Sequence, residues 1–395
     1  MSKFPDLSLI LINNYDSSNL NLESKLREHI REAFLENLNR EVLDKNEMKT
    51  LWSMLETKFG INNYMTYQGF LELKRSIPQK SKKFFKASVF SKLITDETYC
   101  HVSVRTFFEY VMKTSWSLQT RVGLSLYDSA GDGYLREDEL ESYISEILPT
   151  LGGFPELDPK LSGLYLFAAV RKFFFFLDIT GSNKIKITDI LSSGFLDDFL
   201  MLSGSQEVSE TALESNWFSY QCFKRHYDNY LSLDADASGL LSISDFSQYN
   251  DSSLNKLFIE RLFQVVPTYS NELDFKGYIQ FVLANENKSE PQSISYFYKI
   301  LTLDYSNNIT GQTIKYFFNG ILHSLNASDD SISEEIVNEI FDMVNPKNPE
   351  YITLNDLILS GRAETVIGIL IDIQKYLMHE NRDAFQSNET EEAQI

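Results

Sequence analysis

A chain of 395 residues, 43% apolar and 13% aromatic, is too long for one core and calls for two to three domains at about 150 residues each. Its net charge of −20 repels phosphate backbones and anionic lipid, which excludes nucleic acid and membrane as direct ligands and suits cations or basic partner patches. With 17 Gly and 9 Pro the chain favours long helices over many short strands, and two cysteines, Cys100 and Cys222, make neither a disulfide framework nor a Cys-based zinc site, which points to a reducing cytosol or nucleus.

The N-terminal residues carry a short apolar run at 7–12 without a small-residue cleavage site, so they do not read as a signal peptide. The longest apolar stretches, such as 366–371, are far too short to span a bilayer, and neither end carries a lipidation motif. Residues 1–115 read as a helical N-terminal region, with Leu26, Ile30, Phe34 and Leu38 at helical spacing. Residues 65–70 fit a decayed copy of the repeat described next. After Pro78, Lys80, Lys82, Lys83 and Lys86 form a basic cluster in an acidic protein, either a solvated connector or a docking patch.

From residue 116 onward a repeat sets the fold. An Asp follows an apolar residue; seven residues later comes an aliphatic residue, and four after that an acid followed by another apolar residue. Asp128, Leu135, Glu139 and Leu140 are one instance; Asp178, Ile185, Asp189 and Ile190 a second; Asp234, Leu241, Asp245 and Phe246 a third. This is the spacing of the helix–loop–helix calcium hand, the EF-hand, whose loop presents oxygens from positions 1, 3, 5, 7, 9 and 12 around a Gly at position 6. The aliphatic at position 8 joins a short bridge between paired hands, which predicts Leu135 beside Ile185, Leu241 beside Leu273 and Ile309 beside Ile352. The expected architecture is all-α: tandem paired EF-hand lobes at 116–205, 206–290 and 291–378 in an elongated array, then an acidic tail at 379–395.

The loops differ in what they can hold. At 234–245, Asp234, Asp236 and Ser238 offer oxygens at positions 1, 3 and 5, Gly239 makes the turn, Leu240 gives its carbonyl, Ser242 can hold a bridging water and Asp245 closes the sphere. Asp245 is one methylene shorter than the usual Glu, which lowers coordination number and weakens calcium or favours magnesium. One calcium site is expected here. The weaker second candidate is Asp128, Asp132, the Tyr134 carbonyl and Glu139, where Ala130 lacks an oxygen and Arg136 adds a positive charge. The loop at 178–189 has Asn183 in place of Gly and is flanked by Lys184 and Lys186. Asp304 lies only five residues before Ile309, and the loop at 345–356 carries Lys347 and Pro349 at ligand positions. These three are expected to be packing units.

Nothing catalytic emerges: His29, His101, His226, His323 and His379 are scattered, and no phosphate loop, nucleophile elbow or kinase signature is present. Gly131-Asp132-Gly133 is accounted for by its place in a hand. The surplus is aromatic. Phe173 to Phe176 would cover the whole circumference of a helix, and Trp217-Phe218 sits in a connector, either as a staple between lobes or as an interface anchor. Phe173, Phe174, Trp217 and Phe218 are therefore expected to touch a partner.

The stretches 171–178, 194–198, 216–219, 281–287 and 339–344 resemble the B-double-prime regulatory subunits of protein phosphatase 2A, and within them the gamma branch that includes the plant Tonneau protein. The resemblance runs from about residue 116 to Arg382. It implies a protein without catalytic activity that docks on the helical-repeat scaffold and catalytic subunits of a Ser/Thr phosphatase and directs dephosphorylation, with calcium as a modulator. It further implies a place at the centrosome or cortical microtubules, within the cytoplasm; the nucleus stays open on the cysteine usage alone. Asp245 and the shortened Asp304 loop depart from the family pattern and bear on calcium, not on docking. The rival is a stand-alone calcium sensor or buffer, which should have several intact loops; a purely structural microtubule-organising protein would need no phosphatase contact.

Overall fold

The computed structural model describes residues 17–60, 63–94, 100–150, 158–202, 209–303, 307–327 and 330–381. Within them the chain is helical, and each strand is two residues long and paired antiparallel with one other. It divides into two compact units. One comprises Met1–Glu146 with Lys184–Leu196, the other Ile147–Asn183 with Asp197–Ile395.

The bridges lie where the repeat places them. Leu135 pairs with Ile185 and Ile309 with Ile352, and an isolated bridge joins Leu241 to Leu273, with both backbone hydrogen bonds at 2.8 Å. All six side chains are almost completely buried. Each contributes about 1.5–3 kcal/mol of hydrophobic burial, so a bridge is a packing device as much as a hydrogen-bonded one.

In the first unit the helices Lys45–Phe59, Tyr67–Ser76 and Val104–Tyr127 surround one core, which includes Leu51, Leu55, Phe70, Phe85, Phe107 and Val111. Phe70, Phe85 and Phe107 interlock there at centroid distances of 4.7–5.6 Å. The first of these helices begins with a full capping box: Asp44 accepts from the amides of Asn46 and Glu47, and Glu47 accepts from the amide of Asp44. A further bridge, Tyr64–Met65 against Val102–Ser103, pairs Met65 with Val102, both fully buried. The helical N-terminal region thus carries a bridge of the same kind, with residues 65–70, the expected decayed copy of the repeat, on one side of it. The boundary expected at 115 falls inside the helix Val104–Tyr127, which leaves the Val102 bridge at one end and enters the Asp128 loop at the other.

In the second unit the helix Pro159–Leu177 packs against Phe275–Glu286, and Lys256–Val265, Pro291–Leu301, Gly311–Ser324 and Ala363–Ile371 complete the core. Asn255 is its buried polar joint. Its amide nitrogen donates to the carbonyls of Phe317 at 2.6 Å and Leu370 at 2.9 Å, and its oxygen caps the helix at the amide of Leu257 at 3.1 Å. Asp304 and residues 382–395 lie outside the described residues. His379, where the acidic tail was expected to begin, still belongs to the helix Ile373–Glu380 and contacts Glu339 at 2.9 Å.

Candidate metal loops and partner surfaces

The loop at 234–245 is held by its own backbone. Asp234 is buried and accepts from the amides of Ser238 and Gly239, both at 2.9 Å. Gly239 sits at φ +79°, where an L side chain is strained, which fits its place at position 6. Tyr230, one turn back on the helix Tyr220–Leu233, donates its hydroxyl to the Gly239 carbonyl at 2.7 Å and ties the turn down. Asp236 is exposed, and hydrogen bonds from the Ser238 side chain and amide hold its carboxyl below the usual range. Ser238 also donates to the Leu240 carbonyl at 3.0 Å, so the oxygens of positions 1, 3, 5 and 7 lie along one short network.

Asp245 shows the effect of its length. It accepts from the amide and hydroxyl of Ser242 at 2.9 and 2.6 Å and makes no cross-loop bond among the described residues. In the loop at 128–139 the longer Glu139 makes the corresponding bond to the Arg136 amide at 2.9 Å and also crosses the loop to the Ser129 amide at 2.9 Å. One methylene separates a carboxylate that closes its loop from one that stays on its own side. Among the described residues no three His, Cys, Asp or Glu side chains converge into a ready-made metal cluster. The donor set at 234–245 nevertheless fits a hard cation: it is all oxygen, includes three carboxylates, and no Lys or Arg is ion-paired with them among the described residues. An ion there would have to draw Asp245 away from Ser242.

The second candidate set does not fit. Asp128 accepts from the amides of Gly131 and Gly133 at 2.7 and 2.8 Å, while Asp132 pairs with Lys184 at 3.3 Å. That ammonium also lies 4.2 Å from the ring of Tyr134. A cation from the neighbouring loop at 178–189 therefore already sits beside a would-be ligand. Burial pushes the Glu139 carboxyl up, but the Ser129 hydroxyl, the Arg136 and Ser129 amides and the Arg136 charge outweigh it and hold the group below its ordinary value. Glu139 is thus ionised and already satisfied. In the loop beginning at Asp178, that side chain accepts from the amides of Ser182 at 2.8 Å and Asn183 at 2.7 Å, and Asn183 takes φ +55°, the left-handed conformation that Asn tolerates best after Gly.

The four aromatic residues expected at a partner surface are buried inside the second unit. Phe173 and Phe218 are fully covered and their rings lie 5.4 Å apart; Phe174 and Trp217 are nearly as buried. The Trp217 indole donates to the Ala168 carbonyl at 3.0 Å, and the Tyr165 hydroxyl donates to the Phe218 carbonyl at 2.8 Å. The burial of all four side chains fits the staple, one of the two readings the sequence left open for Trp217 and Phe218. Of the four consecutive Phe residues on the helix Pro159–Leu177, Phe173, Phe174 and Phe176 are buried and Phe175 is half-buried, so one side of the run stays partly open.

Sequence reasoning missed the group under Trp217. Its ring lies 5.1 Å from that of His226, whose Nε2 is 3.5 Å from the Cys222 sulfur and 3.5 Å from Glu286. Arg225 contacts Glu286 at 3.5 Å. Burial, with the Arg225 charge, lowers the His226 pKa to about 4, and burial raises the Cys222 thiol to about 11. A neutral imidazole beside a protonated thiol is a packed polar joint, not an activated nucleophile. The i, i+4 spacing of Cys222 and His226 was the only signal available.

No protein-family model matches the chain. The gamma members of the B'' regulatory subunits of serine/threonine-protein phosphatase 2A from Rattus norvegicus and Homo sapiens are each 42% identical over 377 residues, covering 94% of this chain and 83% of theirs. TON2 of Arabidopsis thaliana, a probable B'' regulatory subunit of the same phosphatase, is 31% identical over 382 residues, 92% of this chain and 79% of that one. Among solved structures, a PP2A PR70 holoenzyme described with "diCa" matches at TM-score 0.55 and 23% identity, covering 62% of this chain and 92% of that chain. That likeness is one of fold.

Proposed function

Because this chain belongs to the B'' family of serine/threonine-protein phosphatase 2A regulatory subunits, we propose that it acts as the non-catalytic regulatory and targeting subunit of a phosphatase 2A holoenzyme, docking on the scaffold and catalytic subunits. The identity of 42% across nearly the whole chain carries this reading. The test is reconstitution. The purified chain mixed with scaffold and catalytic subunits should elute as one ternary complex, and alone it should release no phosphate from a phosphopeptide. Absence of a complex both with and without calcium would overturn the assignment.

Calcium, in this reading, binds at one site of modest affinity, the loop at 234–245. Support comes from its all-oxygen donor set and from the absence of an ion-paired cation, among the described residues, beside Asp234, Asp236 and Asp245, in contrast to the Lys184 contact at Asp132. Titration calorimetry should find one ion per chain, lost in Asp234→Ala. Two tight sites would contradict the account of Ala130 and Arg136 and favour the stand-alone calcium sensor. A cytoplasmic position at the centrosome or cytoskeleton is an extension of the same reading. Imaging of the tagged chain in its native cell tests it, and a diffuse signal that ignores the centrosome would count against it.

A further inference from the structure

One surface of the first unit is left over by this function. Residues 45–92 carry ten Lys or Arg against three Glu, a local charge of +7 in a chain of −20. The fold gathers part of that charge around a groove of about 1000 Å³. Its floor is apolar, made by Met48, Trp52, Phe108 and Met112, with the Trp52 and Phe108 rings 4.6 Å apart. Met112 remains 48% exposed. Lys45 and Lys49 stand on the rim, and neither has an ion-pair partner among the described residues. Of the acids nearby, Glu47 pairs with Lys80 at 3.0 Å, and Asp44, also in the lining, turns its carboxylate onto the amides of Asn46 and Glu47, so three ammonium groups, Lys45, Lys49 and Lys80, face the groove against these two carboxylates.

An apolar floor with free ammonium groups at its edge selects for a ligand with an apolar anchor and flanking negative charge. Methionines at two of the four floor positions let the groove adapt to anchors of different shape. We propose that this groove is a docking site for a short acidic segment of a partner protein, one that inserts an aliphatic or aromatic side chain between Trp52 and Met112 and sets carboxylates against Lys45 and Lys49. The occupant is a peptide and not a lipid or a nucleic acid, because the cationic rim is narrow and the remainder of the chain is strongly acidic. The inference does not depend on the phosphatase reading, and its test uses the chain alone.

The experiment is selection of 16-residue peptides from a displayed random library against the full chain, followed by binding measurements on the enriched peptides. They should be net acidic with at least one large apolar residue, and should weaken by at least about tenfold against the Lys45→Glu, Lys49→Glu double variant. The same peptides should weaken against Met112→Glu, which puts a charge on the floor. All three positions are exposed or lie at the groove edge, so thermal melts should stay unchanged, and a control melt excludes loss of fold. Enrichment of basic or uncharged peptides, or equal binding by wild type and both variants, would overturn the proposal. So would phosphatidylserine vesicles or single-stranded DNA binding more tightly than the peptides on the same two lysines. A concentration-dependent dimer abolished by the double variant would instead assign the groove to a second copy and equally overturn it.

Discussion

Single side chains here do work that their type alone does not announce. Trp217 reads either as a staple or as an interface anchor, and it is 7% exposed, with its indole spent on the Ala168 carbonyl and its face on His226. Trp217→Ala should therefore cost about 3–5 kcal/mol of stability and lower the melting temperature. Scaffold binding measured well below that temperature should be nearly unchanged; weakened binding with an unaltered melt would restore the anchor. His226 gives a second outcome. Its folded pKa of about 4 lies below the ordinary 6.5, so between those values the unfolded chain binds the proton and the folded chain does not. Its stability contribution is complete above about pH 6.5 and is lost as pH falls toward 4. Glu286 beside it, raised by burial, contributes with the opposite sign and reduces the net slope. Denaturant titrations across that window should show a steeper loss for wild type than for His226→Gln, and identical slopes would contradict the assignment.

Among the elements, the bridges and Asn255 set the order of packing in the second unit. Asn255→Ala removes a helix cap and leaves the Phe317 and Leu370 carbonyls without that donor, a loss of roughly 3 kcal/mol. Gly320 shares the site, since a Cβ there would stand 2.2 Å from the Asn255 side-chain oxygen. Gly320→Ala should accordingly destabilise wild type strongly and the Asn255→Ala background much less. Unfolding free energies that simply add would mean the two positions do not touch. The bridges were legible in advance because position 8 of each loop must be aliphatic and the hands must pair. Of the bridge of Met65 with Val102 only one side was legible, as a decayed copy at 65–70, because the segment around Val102 keeps the burial without the repeat's spacing.

At the level of the whole chain, charge is the dominant unbalanced quantity. A net charge of −20 repels itself, and that repulsion is screened once the Debye length falls to about 8 Å at physiological ionic strength. The melting temperature should rise when salt is brought from a few millimolar to physiological concentration, in calcium-free buffer. A fall would mean that local ion pairs such as Lys184 with Asp132 and Lys80 with Glu47 outweigh the global repulsion.

The amino-acid sequence was sufficient for the helical class, the three bridges and the family, because each rests on short-range spacing that the chain must satisfy locally. The spacing from Asp234 to Asp245 dictates which oxygens can share one loop, wherever that loop lies in the fold. What depended on the folded chain involves residues distant in sequence. Lys184 meets Asp132 across 52 positions and supplies the cation that the first loop would otherwise need. Trp217 meets Ala168 across 49, a contact that favours the staple over the anchor. Phe108 meets Trp52 and completes a groove that neither helix forms alone. Spacing along the chain specifies what a segment can offer; which neighbour takes up the offer follows from burial, and burial is a property of the packed molecule.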